Sequence, residues 1–165
     1  MARIPLPDGD GPEALRALAL RPKLAAAVGA IEVAVGQSSL DRRMHELVRM
    51  RIALINQCTV CMDWRNPTWL EDEQLLLSVE DYATAPGFTD VERLAIEYAE
   101  RFATDSANID DDLLARLSAH LDPGEIVELT LVIGKYVAMG RFMQVLGLDQ
   151  ACVLHYDETG TLAKV

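Results

Sequence analysis

Apolar residues recur three and four positions apart through most of the chain, the spacing that lines one face of a helix. Leu24, Ala27, Val28, Ile31 and Val35 keep it in a segment opened by Pro22 and closed by the Gly-Gln-Ser-Ser run at 36–39. Proline suits a first helical turn because its missing N–H has no intrahelical acceptor there. A shorter helix carrying Leu15, Leu18 and Ala19 precedes it. Met44, Leu47, Val48, Ile52 and Ile55 predict a third helix over about 41–56, with a break at Asn56-Gln57. A further helix is expected to begin near Cys58 and end by Pro67, and another short one lies within 68–77, with Glu71 and Asp72 near its start. After a loop at 85–87, Thr89 caps a long amphipathic helix reaching about Thr104, with Glu92 at capping-box spacing. Asp110 opens a helix to His120, and Asp122-Pro123 opens the last long one, which stops near Gly147. The pattern predicts an all-α single domain over 1–165, with its core at about 20–150 and a flexible opening at 1–12. The tail at 151–165 fits a short extension, a strand or a segment paired with another subunit.

Charge narrows the range of partners. With 15 basic and 26 acidic residues the formal charge is −11, and such a surface repels nucleic acid and anionic lipid. No run of eighteen apolar residues occurs, so no membrane span is expected. The first twelve residues are polar and turn-rich rather than a secretory signal, which makes the cytoplasm the expected location. Several long amphipathic helices in a short chain leave more apolar face than one copy hides, so a homo-oligomer, dimer or trimer, is expected.

Three cysteines are present: Cys58, Cys61 and Cys152. An odd count does not suggest a secreted disulfide scaffold. Cys58 and Cys61, separated by two residues, can close a disulfide on the first turn of a helix. The positive end of a helix favours the thiolate, the species that attacks a disulfide or a peroxide, and a second cysteine can then resolve the oxidised sulfur. The spacing alone also occurs in thioredoxins, in zinc sites and in inert cores. The strand–helix alternation of thioredoxin is not visible around this pair, and zinc ordinarily takes four ligands, whereas His45 lies thirteen residues away and Cys152 far along the chain. His45 is expected at a surface or interface, and Trp64 and Trp69, on either side of Pro67, as packing or as a wall beside the pair.

The run Glu46-Leu47-Val48-Arg49, followed by Ile55-Asn56-Gln57-Cys58-Thr59-Val60-Cys61, resembles the AhpD-like branch of the carboxymuconolactone decarboxylase family. There a Glu-Leu-Val-Arg-like helix leads into an Ile-Asn-Gly-Cys-x-x-Cys-like turn, with the glutamate twelve residues before the first cysteine, as here. The likeness extends to Phe88–Ala95 and to Gly124–Thr130, and covers about residues 20–150.

The resemblance implies an AhpD-like helical bundle that forms homo-oligomers. It also implies reduction of peroxides, or passage of electrons through a disulfide, without metal or flavin. Cys61 would be the peroxidatic thiol, Cys58 its resolving partner and Glu46 a proton-transfer group, with a small-molecule peroxide or disulfide as substrate and an external dithiol protein as reductant. Arg65 stands where AhpD-type members carry a histidine. Always protonated, it cannot shuttle a proton at neutral pH. It can hold a thiolate by charge, and an ion pair with Glu46 beneath the sulfurs is expected. This departure favours disulfide exchange over peroxidase chemistry. A decarboxylase or lactone-processing enzyme like the family's namesake, and a non-catalytic redox-sensing oligomer, are the alternatives.

Overall fold

The computed structural model describes residues 2–66, 68–69 and 72–149. Among them the order is α1 (Glu13–Ala19), α2 (Pro22–Gly36), α3 (Arg42–Ile55), α4 (Thr59–Asp63), α5 (Glu73–Leu77), α6 (Asp90–Asp105), α7 (Asp111–Ser118) and α8 (Pro123–Leu146). No strand occurs among the described residues. Short 3₁₀ turns at Val79–Asp81 and Ser106–Asn108 complete the connections.

The helix starts are written in the sequence. Thr89 and Glu92 form a reciprocal capping box on α6, and Asp122 and Glu125 form another on α8, each satisfying two backbone donors that the helix leaves over. Asp41 and Asp110 cap α3 and α7. Gly147, with φ of 66°, ends α8 in the left-handed conformation that glycine adopts without a Cβ clash. The helix expected over 68–77 is the single turn α5, capped by Asp72; Pro67 and Glu71 lie outside the described residues, and α4 has already ended at Asp63.

Helices α3, α6 and α8 pack on one another as the centre of the molecule. Val48 and Ile52 meet Ala95 and Ala99 of α6 and Leu129, Val132 and Ile133 of α8, closed from below by Leu113 and Leu117 of α7. A second group, Leu47, Met50 and Ala53 with Leu75, Leu76 and Val79, covers another side of α3. Every residue from Met44 to Met50 is therefore buried, His45, Glu46 and Arg49 among them. A helix enclosed on all sides cannot leave its polar groups to water, so each needs a partner inside the protein.

The chain's opening is tied to the end of α8. Arg3 N–H donates to the Leu146 carbonyl at 2.8 Å. The N–H groups of Glu13 and Ala14 donate to the Asp149 carboxylate at 2.6 and 2.7 Å, and Asp149 N–H donates back to Glu13 at 2.9 Å. This exchange lays α1 over a third apolar group, Ala17, Cys58, Val60, Met143 and Leu148. By contrast α2 is mostly exposed although largely apolar, with Leu24, Ile31 and Val33 open to solvent. Its Glu32 meets Lys135 of α8 at 2.6 Å.

Candidate redox site

The cysteine turn begins where α3 ends. Gln57 N–H donates to the Leu54 carbonyl and Cys58 N–H to the Ala53 carbonyl, which is the Schellman closure of a helix. Gln57 occupies the left-handed position at φ 52°, where the resembling family carries glycine. Asn56 beside it is buried and donates to the Tyr136 carbonyl at 3.1 Å. Gly140 on α8 makes room for it, since a Cβ there would lie 2.3 Å from the Asn56 amide nitrogen.

Cys58 is the N-cap of α4, and Cys61 lies in that helix. Their sulfurs form a disulfide. The two environments differ: Cys58 is fully buried in the apolar group under α1, whereas Cys61 is half-buried. Being five residues long, α4 offers little of the helix dipole expected from the spacing.

The charged side chain of α3 that reaches this turn is Arg49. Its Nε and Nη2 donate to the two oxygens of Glu46 at 2.8 and 2.7 Å, a bidentate fork in which both partners are almost completely shielded from solvent. Its Nη1 donates to the Cys61 carbonyl, its Nη2 also reaches the Trp64 carbonyl at 3.1 Å, and the guanidinium lies 4.8 Å from the Trp64 ring centroid. Arg49 thus joins the α3 carboxylate to carbonyls at the C-terminal end of α4, which a one-turn helix leaves without intrahelical donors.

The expected Glu46–Arg65 pair does not form. Arg65 turns outward to Glu73, 2.8 Å away across a half-exposed contact, and donates also to the Met62 and Trp64 carbonyls. Arg49 already fills both oxygens of Glu46, and it approaches from the same helix at i,i+3. The hydrogen bond with Glu73 is the main cause raising the Arg65 pKa and lowering that of Glu73.

His45, expected at a surface or interface, is buried within the chain itself. Its Nε2 is 3.0 Å from the Tyr136 hydroxyl, and its ring lies 4.5 Å from that of Trp69, which in turn meets Trp64 edge-on at 6.0 Å. Burial, aided by the charges of Lys135 and Arg49, pushes the imidazole pKa down to about 4. Lys135 is buried as well, and its ammonium sits 4.0 Å from the Tyr136 ring centroid. Desolvation lowers its pKa, partly offset by Glu32. Of the sequence candidates, the structure brings Cys58, Cys61 and Glu46 to one corner through Arg49 and leaves Arg65 at its rim. Arg49 was missed as a site residue, although its spacing from Glu46 was a readable signal. Cys152 lies outside the described residues.

No family model matches the chain. YnjA, an uncharacterized protein of Escherichia coli K12, is 38% identical over 109 residues, spanning 64% of this chain and 60% of that protein. A crystal structure from Agrobacterium tumefaciens, of a protein of unknown function provisionally linked to AhpD antioxidant defence, aligns at 26% identity with a TM-score of 0.68, covering 79% of this chain and 92% of that one. An uncharacterized peroxidase-related protein of Ralstonia eutropha JMP134, described as an alkylhydroperoxidase AhpD core, aligns with a TM-score of 0.74 at 16% identity, over 88% of this chain and 90% of that one. The chain therefore carries the AhpD core fold, and its solved neighbours are AhpD-like and peroxidase-related proteins, in line with the resemblance of its Glu46-to-Cys61 motif.

Proposed function

We propose that the protein is a thiol–disulfide oxidoreductase of the AhpD-like type, cycling Cys58 and Cys61 between dithiol and disulfide to reduce a small peroxide or disulfide. The observation that carries this reading is the bonded pair itself, with Cys58 fully buried and Cys61 only partly so. In the peroxide cycle the Cys61 thiolate attacks the terminal oxygen of ROOH and the O–O bond breaks. Cys61 becomes a sulfenic acid, and the departing alkoxide takes a proton to leave as ROH. The Cys58 thiol then attacks the Cys61 sulfur, forming the S–S bond and expelling water. An external dithiol protein restores both thiols by exchange, giving up two electrons and two protons and becoming a disulfide. A disulfide substrate would enter at the first step, with a thiolate as leaving group.

The arginine at position 65 supports disulfide exchange over rapid peroxide turnover, because no histidine stands there to pass protons. Copies of the chain would associate through α2, where Leu24 and Ile31 are exposed on one face. The deciding experiment follows consumption of hydroperoxide, and of a model disulfide, with a dithiol donor for the wild type and Cys61→Ser. Loss of at least tenfold in one assay is the expected result. Equal turnover by the variant in both would refute the reading.

A further inference from the structure

We propose that Arg49 is the counter-charge that holds reduced Cys61 as a thiolate, that Glu46 sets how strongly it does so, and that this pair makes Cys61 rather than Cys58 the attacking sulfur. The inference rests on the thiol-redox reading above and names the groups that tune it. Arg49 acts through Cys61, so it is a positioning residue.

The geometry gives the pair a direction. Glu46 occupies the Nε–Nη2 edge of the guanidinium, while Nη1 donates to the carbonyl of Cys61 itself. The positive end of the ion pair thus faces α4 and its carboxylate lies on the far edge. Both members are buried, at 3% and 1% exposure. Their field is therefore screened by solvent far less than that of a surface pair.

Among the described residues, the other charges beside the turn on α3, α4 and α5 are less effective. Asp63 on α4 is exposed, and Arg65 and Glu73 neutralise each other in a contact open to water. His45 on α3 is uncharged at neutral pH. The sister sulfur has the opposite setting: Cys58 is enclosed by Ala17, Val60, Met143 and Leu148, where desolvation disfavours a thiolate.

The test measures alkylation of Cys61 by iodoacetamide against pH in the fully reduced full-length chain, locating the adduct by peptide fragmentation. Wild-type Cys61 should titrate below the ordinary cysteine value of about 8.5. Glu46→Gln, close in shape and still able to accept from Arg49, removes the opposing charge and should lower the midpoint by about one pH unit. Glu46→Asp should leave it near the wild-type value. Arg49→Gln should raise it by about one unit, whereas Arg49→Lys should hold it within about half a unit. A disturbed fold would not move the two neutralising variants in opposite directions. An unchanged or raised midpoint in Glu46→Gln overturns the inference, and that variant decides the matter even if Arg49→Gln does not fold. A midpoint near 8.5 in the wild type would count against the redox reading as well, while a depressed midpoint indifferent to Glu46 would remove this inference alone.

Discussion

Two arginine–glutamate pairs flank the cysteine turn, and they are built on opposite terms. Both are bidentate, and both arginines also donate to backbone carbonyls around α4, but Glu46–Arg49 is closed from water on the central helix. Arg65–Glu73 lies at the rim, with the side chains 31% and 56% exposed. Charge type and distance are the same in both. What separates them is desolvation: a buried charge has given up its water and depends on its partner, whereas an exposed one exchanges one good solvent for another.

The largest expected effect follows from that dependence. Arg49→Met leaves the Glu46 carboxylate buried and alone, which costs about 3–5 kcal/mol. For a chain of this length that corresponds to a fall in Tm of about 10 °C, read from a thermal melt. The double variant Glu46→Leu with Arg49→Met should recover most of the loss, since replacing both charges removes the desolvation penalty along with the attraction. A single variant within about 1 kcal/mol of wild type would show that water reaches Glu46 and that the two pairs do not differ in kind.

His45 extends the buried side of the comparison to pH. Its pKa of about 4 in the fold lies below the ordinary imidazole value of about 6.5. The unfolded chain takes up a proton as pH falls through 6.5, and the folded chain does not until about pH 4. The stability tied to neutral His45 is thus complete above pH 6.5 and declines as pH falls toward 4, by about 3 kcal/mol over the full span. Urea midpoints between pH 7 and 5 should fall in the wild type and flatten in His45→Gln. This window lies above the range where most carboxylates titrate, so a flat wild-type profile would mean that the imidazole is hydrated.

These residues also mark where sequence stops short of site. The caps at Thr89, Asp110 and Asp122 and the stop at Gly147 were legible because each is a local bond within four residues of its helix end. The cysteine pair was legible for the same reason. The partner of Glu46 was legible only as a candidate by its i,i+3 spacing, because the choice turned on competition: Arg49 and Arg65 are both within plausible reach, and only packing shows which one the enclosed helix retains. His45 was misplaced by a related error. Apolar periodicity describes a helix with one buried face, whereas α3 is covered by α6 and α8 on one side and by α5 on another, so its polar positions are internal too.

A smaller effect tests the backbone between the two pairs. Gln57 holds φ at 52° so that α3 can close and Cys58 can start α4. A side chain in that conformation costs about 1–2 kcal/mol, while glycine adopts it freely and gives back part of the gain through its more mobile unfolded chain. Gln57→Gly should therefore raise stability by about 0.5 kcal/mol in urea titration and leave Cys61 alkylation unchanged. A loss of stability would mean that the Gln57 side chain makes a contact worth more than the strain it brings.

The smallest expected effect belongs to the exposed pair and completes the contrast. The Arg65 hydrogen bond, with its charge behind it, holds the Glu73 carboxyl below its usual range. The stability this lends is present above the unfolded value of about 4.5 and is lost as pH falls through the folded one. Because solvent screens both groups, Glu73→Gln should cost no more than about 0.5 kcal/mol at neutral pH, and less still in 1 M salt. Arg65 keeps its bonds to the Met62 and Trp64 carbonyls in that variant, so the end of α4 stays tied. The alkylation midpoint of Cys61 should not move in Glu73→Gln, though it moves in Glu46→Gln. If the rim variant shifted it as far as the buried one, the cysteine would be answering to net charge in its neighbourhood, and burial would no longer explain why one arginine matters to it and the other does not.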